Sequence, residues 1–272
     1  MNKLTELSQA IGTIGDGTRI GLGGNTLNRA PMAAVFELVR QGRRRLGVVK
    51  TAGAMDVDVL CLAGCADTVD AGFISYESQY GLAQRYRKSV QNGLVHANEH
   101  ACYTVISALR AASYGIPFMP VRGLQTSDLR KVNDYFADVT DPFSGETLAA
   151  VRAIRPDVAI VHAQLADGRG NALFEGPRYE DVLLSRAAKR VIVTAERIVG
   201  EGWFEGNGQK ADIPHFLVSH VVHAPRGASP CACYGYYEPD GDFIRAFLEL
   251  ESAEALHEFL AKRRRRGYDQ GM

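Results

Sequence analysis

One turn near the start of the chain combines glycines with hydrogen-bonding side chains. Residues 20–40, IGLGGNTLNRAPMAAVFELVR, begin as a short apolar strand and end as an apolar-periodic helix, with glycines at the junction. Glycine lets a ligand approach the backbone closely, and a helix N-terminus favours negative charge. Amides at Gly23 and Gly24 would then stabilise charge developing on an acyl or phosphoryl oxygen. Asn25 and Arg29 would add side-chain donors, with Arg29 also positioning the turn.

A dinucleotide is the main rival ligand for this turn, and the sequence argues against it. Thr26 occupies the place of the third glycine in the G-x-G-x-x-G pattern, and the next strand ends in Lys50 and Thr51 where NAD binding needs an acid. One argument for NADP binding remains, because Lys50 could bind the 2′-phosphate of NADP. A Walker-type phosphate loop lacks its Gly-Lys-Ser/Thr end. A turn that needs glycine only for its dihedrals would explain one glycine better than three.

Glu77 is a second candidate for a substrate contact. It lies in ISYESQYG, directly after a predicted strand, and α/β proteins place their sites at the carboxyl ends of strands. The side chain would either shape an acyl pocket or form an ion pair with Arg85 or Arg87. The sequence leaves both interpretations open.

Glu99 is the candidate catalytic acid, in the segment HANEHACYTVISALR. We predict a helix over about residues 99–113, so Glu99 is either a helix-start acid stabilised by the helix dipole or an acid/base group. His96 and His100 would bind a metal only if both lay on that helix. Because His96 precedes it, we expect no metal.

The bulk composition excludes several classes of protein. The chain has 272 residues, 46% hydrophobic and 23% charged, with 31 Lys+Arg against 31 Asp+Glu. This balance is typical of a globular protein and lacks the basic excess of nucleic-acid binders. No apolar run approaches the roughly 20 residues of a membrane span, and no signal peptide is evident. Five cysteines without C-x-x-C spacing indicate buried, reduced thiols rather than zinc sites, and a cytoplasmic location.

The order of elements predicts the fold class. Short strands rich in Val and Ile alternate with helices, which predicts an α/β protein with a mostly parallel sheet covered by helices on both faces. We expect one domain over residues 1–272, with a helical tail from about residue 241 whose second helix Ser252 opens. Residues 117–150 are the least regular segment, and we expect an ordered loop near a site.

GLGGNTLNRAPMA resembles the Gly-Gly-x-x-x-x-Arg-x-Pro-Met turn of class I coenzyme A transferase alpha subunits of the glutaconate CoA-transferase type. The resemblance extends over about residues 12–245. Further similar segments follow in the same order: AGFISYESQYGLAQRYRK, the Glu99 region into YGIPFMPVRGLQTSDL, PDVAIVHAQLADGRGNALFEGP, AAKRVIVTAERIV and HAPRGASPCACYGYY.

The resemblance implies the fold shared by CoA transferases and some sugar-phosphate isomerases. It also implies an alpha subunit that works with a homologous beta subunit. In this family a glutamate on the beta half attacks the acyl-CoA thioester, giving an acyl anhydride and then a glutamyl-CoA thioester. Coenzyme A is then a substrate and no other cofactor is expected. This chain has no second copy of the fold, so we expect it to be inactive alone.

Two other functions remain open at this stage. Alpha subunits of steroid ring-cleaving CoA hydrolases are similar, and an alpha-subunit glutamate in the Glu99 region is thought to serve there. If that glutamate corresponds to Cys102, this chain lacks the acid; if it corresponds to Glu99, hydrolysis is open. The non-enzymatic alternative is a ligand-sensing module on the same fold, although no DNA-binding helix pair precedes the domain.

Overall fold

The computed structural model describes residues 2–124 and 126–265, with side chains through residue 262. Within these ranges the strands, in chain order, are β1 Arg19–Leu22, β2 Leu46–Gly53, β3 Ala66–Ile74, β4 His96–Glu99, β5 Phe118–Val121, β6 Phe136–Thr140, β7 Thr147–Arg152, β8 Val158–Asp167, β9 Ala172–Leu173, β10 Arg190–Val199 and β11 Val218–His223.

The described helices, in chain order, are α1 Leu7–Gly12, α2 Met32–Arg40, α3 Met55–Leu62, α4 Glu77–Tyr80, α5 Gln84–Gln91, α6 Cys102–Tyr114, α7 Leu129–Val132, α8 Asp181–Ala187, α9 Trp203–Gly206, α10 Gly241–Leu248 and α11 Ala253–Arg265. None of these helices is long and apolar enough to cross a membrane.

The main sheet has the strand order β11-β10-β8-β1-β2-β3-β4, and all of these neighbours pair in parallel; β9 adds to β8 in the antiparallel sense. All ten residues of β8 are buried, as expected for a strand covered on both faces. Helices α2, α3 and α5 pack on one face, and α6 and α8 on the other. The predicted α/β class with a mostly parallel sheet is confirmed.

The strand order reverses between β1 and β8. From β1 the chain builds β2, β3 and β4 to one side, and from β8 it builds β10 and β11 to the other. Connections that leave in opposite directions open a crevice beyond the carboxyl ends of the two strands, where open α/β sheets bind ligands. The glycine turn follows β1 directly, so the topology places it at this switch point.

Two local predictions are wrong. Residues 117–150 form most of a second, antiparallel sheet of order β5-β7-β6 rather than a loop. Its strands are short and broken by proline and charged residues, which hides their alternation. Glu99 ends the edge strand β4, and the helix begins only at Cys102, because residues 96–99 pair in parallel with β3.

Two helices, α10 and α11, lie where the helical tail was expected. The Asp240 carboxylate accepts the Phe243 N–H at 3.0 Å, and the Ser252 hydroxyl accepts the Ala255 N–H at 3.2 Å, so each helix begins with a side-chain cap. Phe243 packs between Phe36 of α2 and Phe259 of α11, with ring centroids 6.1 and 4.8 Å away. The tail therefore covers the α2 face of the sheet.

Candidate active site

The backbone amides of the glycine turn are already occupied. The Gly23 N–H donates to Ile160 O at 2.9 Å, and the Gly24 N–H donates to the Asp181 carboxylate at 3.1 and 3.2 Å. The Asn25 N–H donates to Asn28 O at 2.9 Å. The prediction of exposed amides that hold a ligand oxygen is therefore wrong for this structure. The half-buried Asn25 carboxamide makes no hydrogen bond with the other described residues and keeps its donor.

Packing against helix α8 explains the glycines without a ligand. A Cβ at Gly23 would lie 2.1 Å from Asp181 Oδ1, and one at Gly21 would lie 2.5 Å from Leu184 Cδ1. Gly24 has φ +71°, and a Cβ there would meet the Arg29 carbonyl at 2.5 Å. Each glycine thus lets another part of the protein approach the backbone closely. Internal packing therefore explains all three glycines, although the sequence alone favoured a ligand.

Arg29 holds the turn from inside the protein. Its side chain is buried, its guanidinium carbon lies 4.1 Å from the centroid of the Phe174 ring, and it donates to His162 O at 2.9 Å. It also pairs with the Asp181 carboxylate at 3.2 Å, the group that accepts the Gly24 amide. Arg29 is therefore a positioning residue in this structure, and its charge is directed at Asp181 rather than at a ligand.

Lys50 is a second buried cation below the turn. Its ammonium donates to the carbonyls of Gly23 and Gly24, the latter at 3.0 Å, and pairs with Asp56 at 2.9 Å. The ammonium is buried and is directed at these two carbonyl oxygens and this carboxylate. Lys50 is thus unavailable to a 2′-phosphate, and the remaining argument for NADP is lost.

The space beneath the turn is small. A cavity of about 10 Å³ is lined by Gly23, Gly24, Lys50, Thr51 and Glu180, together with neighbouring apolar side chains and Asp181. This volume holds about one water molecule and no acyl group. Among the described residues, the cavity under the turn is therefore too small to be an acyl pocket.

Glu180 is the unsatisfied polar group at this cavity. It precedes α8, and its Oε2 is buried without a hydrogen-bond partner in the part of the chain that the structure describes. Burial, followed by the negative charge of Asp181, raises the pKa of the Glu180 carboxyl. An acid with a raised pKa at the end of a sheet is a common feature of functional sites.

Cys102 lies close to Glu180, at the start of α6. Gly72 makes this position possible, because a Cβ there would lie 2.3 Å from the Cys102 nitrogen. The thiol donates to Thr51 O at 3.5 Å. Burial, and then the charge of Glu180, raise the pKa of the Cys102 thiol, which therefore stays protonated near neutral pH and is a poor nucleophile.

Glu77 lies on the same edge of the sheet. It begins α4 with φ +59°, and its charge helps to raise the pKa of the Tyr179 hydroxyl, after burial and the charges of Asp181 and Glu180. Among the described residues it forms no ion pair with Arg85 or Arg87. Thr26, Arg29 and Tyr179 also have positive φ. Strained backbone of this kind concentrates at functional sites.

Glu99 lies elsewhere. Its negative charge helps to raise the pKa of the Tyr86 hydroxyl on α5, after burial and the charge of Cys61. Glu99 also lines an open cavity of about 400 Å³ beside the edge strand β4, together with His96 and Val132. No residue of the glycine turn lines that cavity, and Glu99 does not line the cavity under the turn. The structure therefore does not bring the predicted catalytic glutamate to the predicted binding turn.

The two histidines near Glu99 also separate. His96 is exposed on β4, whereas the His100 ring is buried with Nε2 3.8 Å from Asp70 Oδ1 and Nδ1 3.2 Å from the Thr104 hydroxyl. They do not share a helix, so they offer no common metal site.

A buried polar network fixes the segment that supports the turn. Among the described residues, His162, Glu196 and Cys233 are the group whose ligand atoms could hold a metal, all within 4.8 Å of one another. His162 Nε2 lies 2.8 Å from Glu196 Oε1, and the other oxygen of Glu196 accepts the Arg226 N–H at 2.7 Å. The Tyr237 hydroxyl also donates to Glu196. These bonds already satisfy Glu196 and hold the loop of residues 226–237 in place.

That loop is bonded directly to the turn. The Arg29 N–H donates to Ala232 O at 2.7 Å, and the Ala232 N–H donates to Leu27 O at 2.8 Å. The network around Glu196 is thus connected to the strained residues after the glycines.

Comparison with known proteins identifies the family. The profile described as coenzyme A transferase matches residues 4–224. This chain belongs to the coenzyme A transferase family.

Relatives of this CoA-transferase chain include the A-type subunits of several enzymes. It is 35% identical to the A-type subunit of the 3-oxoadipate CoA-transferase of Pseudomonas knackmussii, covering 91% of this chain and 88% of that protein. It is 34% identical to the A-type subunit of the glutaconate CoA-transferase of Acidaminococcus fermentans, covering 93% and 85%. It is 32% identical to the cholesterol ring-cleaving hydrolase IpdA subunit of Rhodococcus jostii, covering 96% and 91%. An uncharacterized protein of Archaeoglobus fulgidus, 35% identical, is longer, and this chain spans 54% of it.

Solved structures agree with the sequence relatives. The crystal structure of glutaconate coenzyme A-transferase from A. fermentans matches with a TM-score of 0.89 and 32% identity, over 96% of this chain and 88% of that one. A variant of the decarboxylase AibA/AibB matches with a TM-score of 0.87 and 34% identity, over 96% and 100%. The proteins similar to this chain are named as transferases, a hydrolase and a decarboxylase. Proteins that share this fold therefore catalyse different reactions, and the residues of the site determine which one.

Sequence reasoning missed the residues that organise this transferase site. Asp181 and Glu180 were not singled out from the sequence, and Lys50 was considered only as a possible cofactor contact. Their carboxylates and ammonium are nevertheless the groups that surround the turn. Consecutive acids directly before an apolar helical segment of an α/β protein were the available signal.

Proposed function

We propose that this chain is the alpha subunit of an acyl-CoA transferase, which moves coenzyme A between an acyl-CoA thioester and a free carboxylic acid. The nucleophilic glutamate would come from a separate, homologous beta-type subunit. Family membership and the A-type relatives support this proposal. The observation that carries it is the rigid, strained turn at the switch point above a cavity of only about 10 Å³, because such an edge needs a second chain to complete an acyl pocket.

The chemistry assigns different tasks to the two chains. The glutamate carboxylate of the beta-type chain would attack the thioester carbonyl, the C–S bond would break, and the coenzyme A thiolate would leave an acyl anhydride. Thiolate attack on the glutamyl side of that anhydride would release the first acid and form a glutamyl-CoA thioester. The acceptor acid would then reverse these steps and leave as the new acyl-CoA.

In this scheme the alpha chain stabilises the oxyanion and supplies no nucleophile. The half-buried Asn25 carboxamide would donate to the thioester oxygen, while Gly23, Gly24 and Arg29 hold it in position. Glu77 would border the acyl group. We assign Glu99 no step, since it lines a separate cavity.

Hydrolysis is the second candidate, and one observation favours it. Glu180 offers an unpartnered carboxylate oxygen beside a cavity that holds about one water molecule, which is the arrangement of a general base that activates water. In that case the alpha chain itself would carry the catalytic acid, as a hydrolase without a beta-chain nucleophile requires.

A direct assay separates these functions. The chain is purified alone and together with a beta-type CoA-transferase chain from the same genome, and each sample receives an acyl-CoA with and without a free acid. The transferase predicts acyl exchange by the pair only, dependent on the acceptor acid. Release of free coenzyme A without an acceptor would support hydrolysis, and sugar-phosphate binding without affinity for CoA esters would support the sensor module.

We also propose a cytoplasmic location. All five cysteines are free thiols, four of them buried, which suits a reducing compartment.

A further inference from the structure

Helix α6 has an outward face that lacks the charges of a solvated helix. Tyr103, Ile106, Arg110 and Tyr114 follow one another at spacings of three and four residues, so they form one stripe along the helix. Tyr103 is 53% exposed and Tyr114 is 68% exposed. Arg110 is the single charged residue of α6, whereas a surface helix normally carries charged residues opposite its buried side. Exposed tyrosines around an arginine are typical of a surface that another protein covers.

The neighbouring helix α8 continues this surface. It packs beside α6, its Val182 and Leu183 are half-buried, and its Arg186 is exposed. The single acid of α8, Asp181, is buried against the glycine turn. The outer surface of α6 and α8 therefore presents apolar side chains and two cations without an exposed acid. Neither Arg186 nor Arg110 forms an ion pair with the other described residues. An apolar partner surface that carries carboxylates would complement it.

The stripe on α6 begins at the candidate site. Cys102 is the first residue of α6, and its thiol donates to Thr51 O. Leu109 of the same helix lines the cavity under the turn together with Thr51. The edge that carries the site and the stripe on α6 are therefore adjoining parts of one surface. A chain that covers this edge to complete an acyl pocket would also contact Tyr103, the second residue of the helix.

The size of the stripe indicates which partner covers it. Because a helix rises about 1.5 Å per residue, Tyr103 and Tyr114 are about 17 Å apart along an element about 10 Å wide. The resulting area, roughly 170 Å², is far below the roughly 800 Å² per partner of a stable interface. A partner that covered only the stripe would not remain bound. A partner that also covers the adjoining site edge has the larger area that stable binding needs.

Charge argues against a second copy of this chain as that partner. In a two-fold symmetric contact the same surface meets itself, so two α6 helices would bring their Arg110 side chains together near the centre of the contact. The exposed Arg186 side chains would add two further cations to the same interface. Like charges placed opposite each other disfavour such a contact. A different chain with acidic groups at these places avoids this repulsion.

We infer that the outer surface of α6 and α8 binds the beta-type subunit, whose apolar side chains pack on Tyr103 and Tyr114 and whose carboxylates pair with Arg110 and Arg186. This inference rests on the proposed function, which supplies that partner. The contact then runs from the site edge along the whole length of α6, so that residues far from the chemistry determine the affinity between the two chains.

The test measures the dissociation constant of the pair of chains by sedimentation or calorimetry. Y114A removes the aromatic ring farthest from the site edge, and R110E reverses the charge of the stripe. Each variant is expected to raise Kd at least about tenfold. Both side chains are exposed, so the melting temperature of the isolated chain should stay unchanged.

Two exposed residues on other parts of the molecule provide matched controls. Phe216 is 74% exposed directly before β11, and Arg87 is exposed on α5, on the opposite face of the main sheet. F216A and R87E should both leave Kd unchanged. Raising the salt concentration should also reduce the difference in Kd between R110E and wild type, because salt screens the charge that the variant reverses.

Exchange activity separates binding of the partner from catalysis. With the partner in excess over Kd, Y114A should exchange coenzyme A at the wild-type rate, because Tyr114 does not line the cavity under the turn. A pair that keeps the wild-type Kd in both Y114A and R110E would overturn the inference and leave the transferase function standing. Self-association of the isolated chain that Y114A abolishes would also overturn it, since a second copy would then cover the surface. Absence of both pairing and exchange would remove the inference together with the proposed function.

Discussion

The replacement Lys50→Met tests how the glycine turn is held. The Lys50 ammonium is buried, pairs with the buried Asp56 at 2.9 Å, and donates to the Gly23 and Gly24 carbonyls. Methionine keeps the length of the side chain but removes the charge and the donors. The Asp56 carboxylate is then left buried and unpaired.

The magnitude follows from this burial. Breaking a buried ion pair by removing one partner costs about 3–5 kcal/mol, because the remaining charge stays desolvated. This is a large part of a typical folding free energy of about 5–15 kcal/mol. Since 1 kcal/mol moves the melting temperature of a chain of this size by about 2–4 °C, the expected decrease is about 6–20 °C.

Urea denaturation and calorimetry measure both quantities. Lys189→Met is the matched control, because the Lys189–Asp157 pair is largely exposed and should contribute less than about 1 kcal/mol. The double variant K50M/D56N should recover part of the loss, since it removes the unpaired charge. A K50M protein that loses less than about 1 kcal/mol would refute the assignment of Lys50 as the support of the turn.

Three further predictions concern the same region and the core. At Gly24, φ is +71° and a Cβ would lie 2.5 Å from the Arg29 backbone, so Gly24→Ala should lower the free energy of unfolding by about 2–5 kcal/mol in urea denaturation. Gly93 has a similar φ of +69° but open space around it, so Gly93→Ala should lower the free energy of unfolding by only about 1–2 kcal/mol. Equal losses in the two variants would contradict the packing argument. Burial raises the pKa of Asp58 to about 6, above its unfolded value of 3.8, so the folded state binds more protons and stability falls as pH rises from about 4 to 6. The stability of D58N relative to wild type should therefore increase by about 2–3 kcal/mol between pH 4 and pH 7, and a constant difference would disprove this. Iodoacetamide at pH 7.5 should modify Cys102 more slowly than a peptide cysteine, and faster in E180Q; mass spectrometry that shows no effect of E180Q would show that the two groups are not coupled.

Local sequence patterns predicted the parts of the fold that depend on local periodicity. The helix from Met32 has an apolar pattern long enough to be read alone, and the glycines that follow mark the end of the short strand at Leu22. The small antiparallel sheet was missed because its strands have four to six residues and are separated by polar turns. Residues 96–99 were assigned to a helix start because their pairing with β3 is not visible locally.

The candidate site was predicted in position but not in detail. Strand–turn–helix geometry placed Gly23 and Gly24 at the carboxyl end of β1, as found. The groups that occupy their neighbourhood come from far along the chain: Asp181 lies 157 residues beyond Gly24, and no local pattern specifies that contact. The sequence therefore suggested amides that are free to bind a ligand, whereas in the structure the Gly23 amide donates to the Ile160 carbonyl and the Gly24 amide donates to the Asp181 carboxylate.

Intact-mass spectrometry of both subunits after mixing with an acyl-CoA tests the central claim most directly. The proposed mechanism places the nucleophile on the partner chain and only the binding edge on this one. It predicts that the partner gains the mass of coenzyme A, as a glutamyl thioester, while this chain keeps its unmodified mass. A coenzyme A or acyl adduct on this chain, or turnover with neither chain modified, would contradict it.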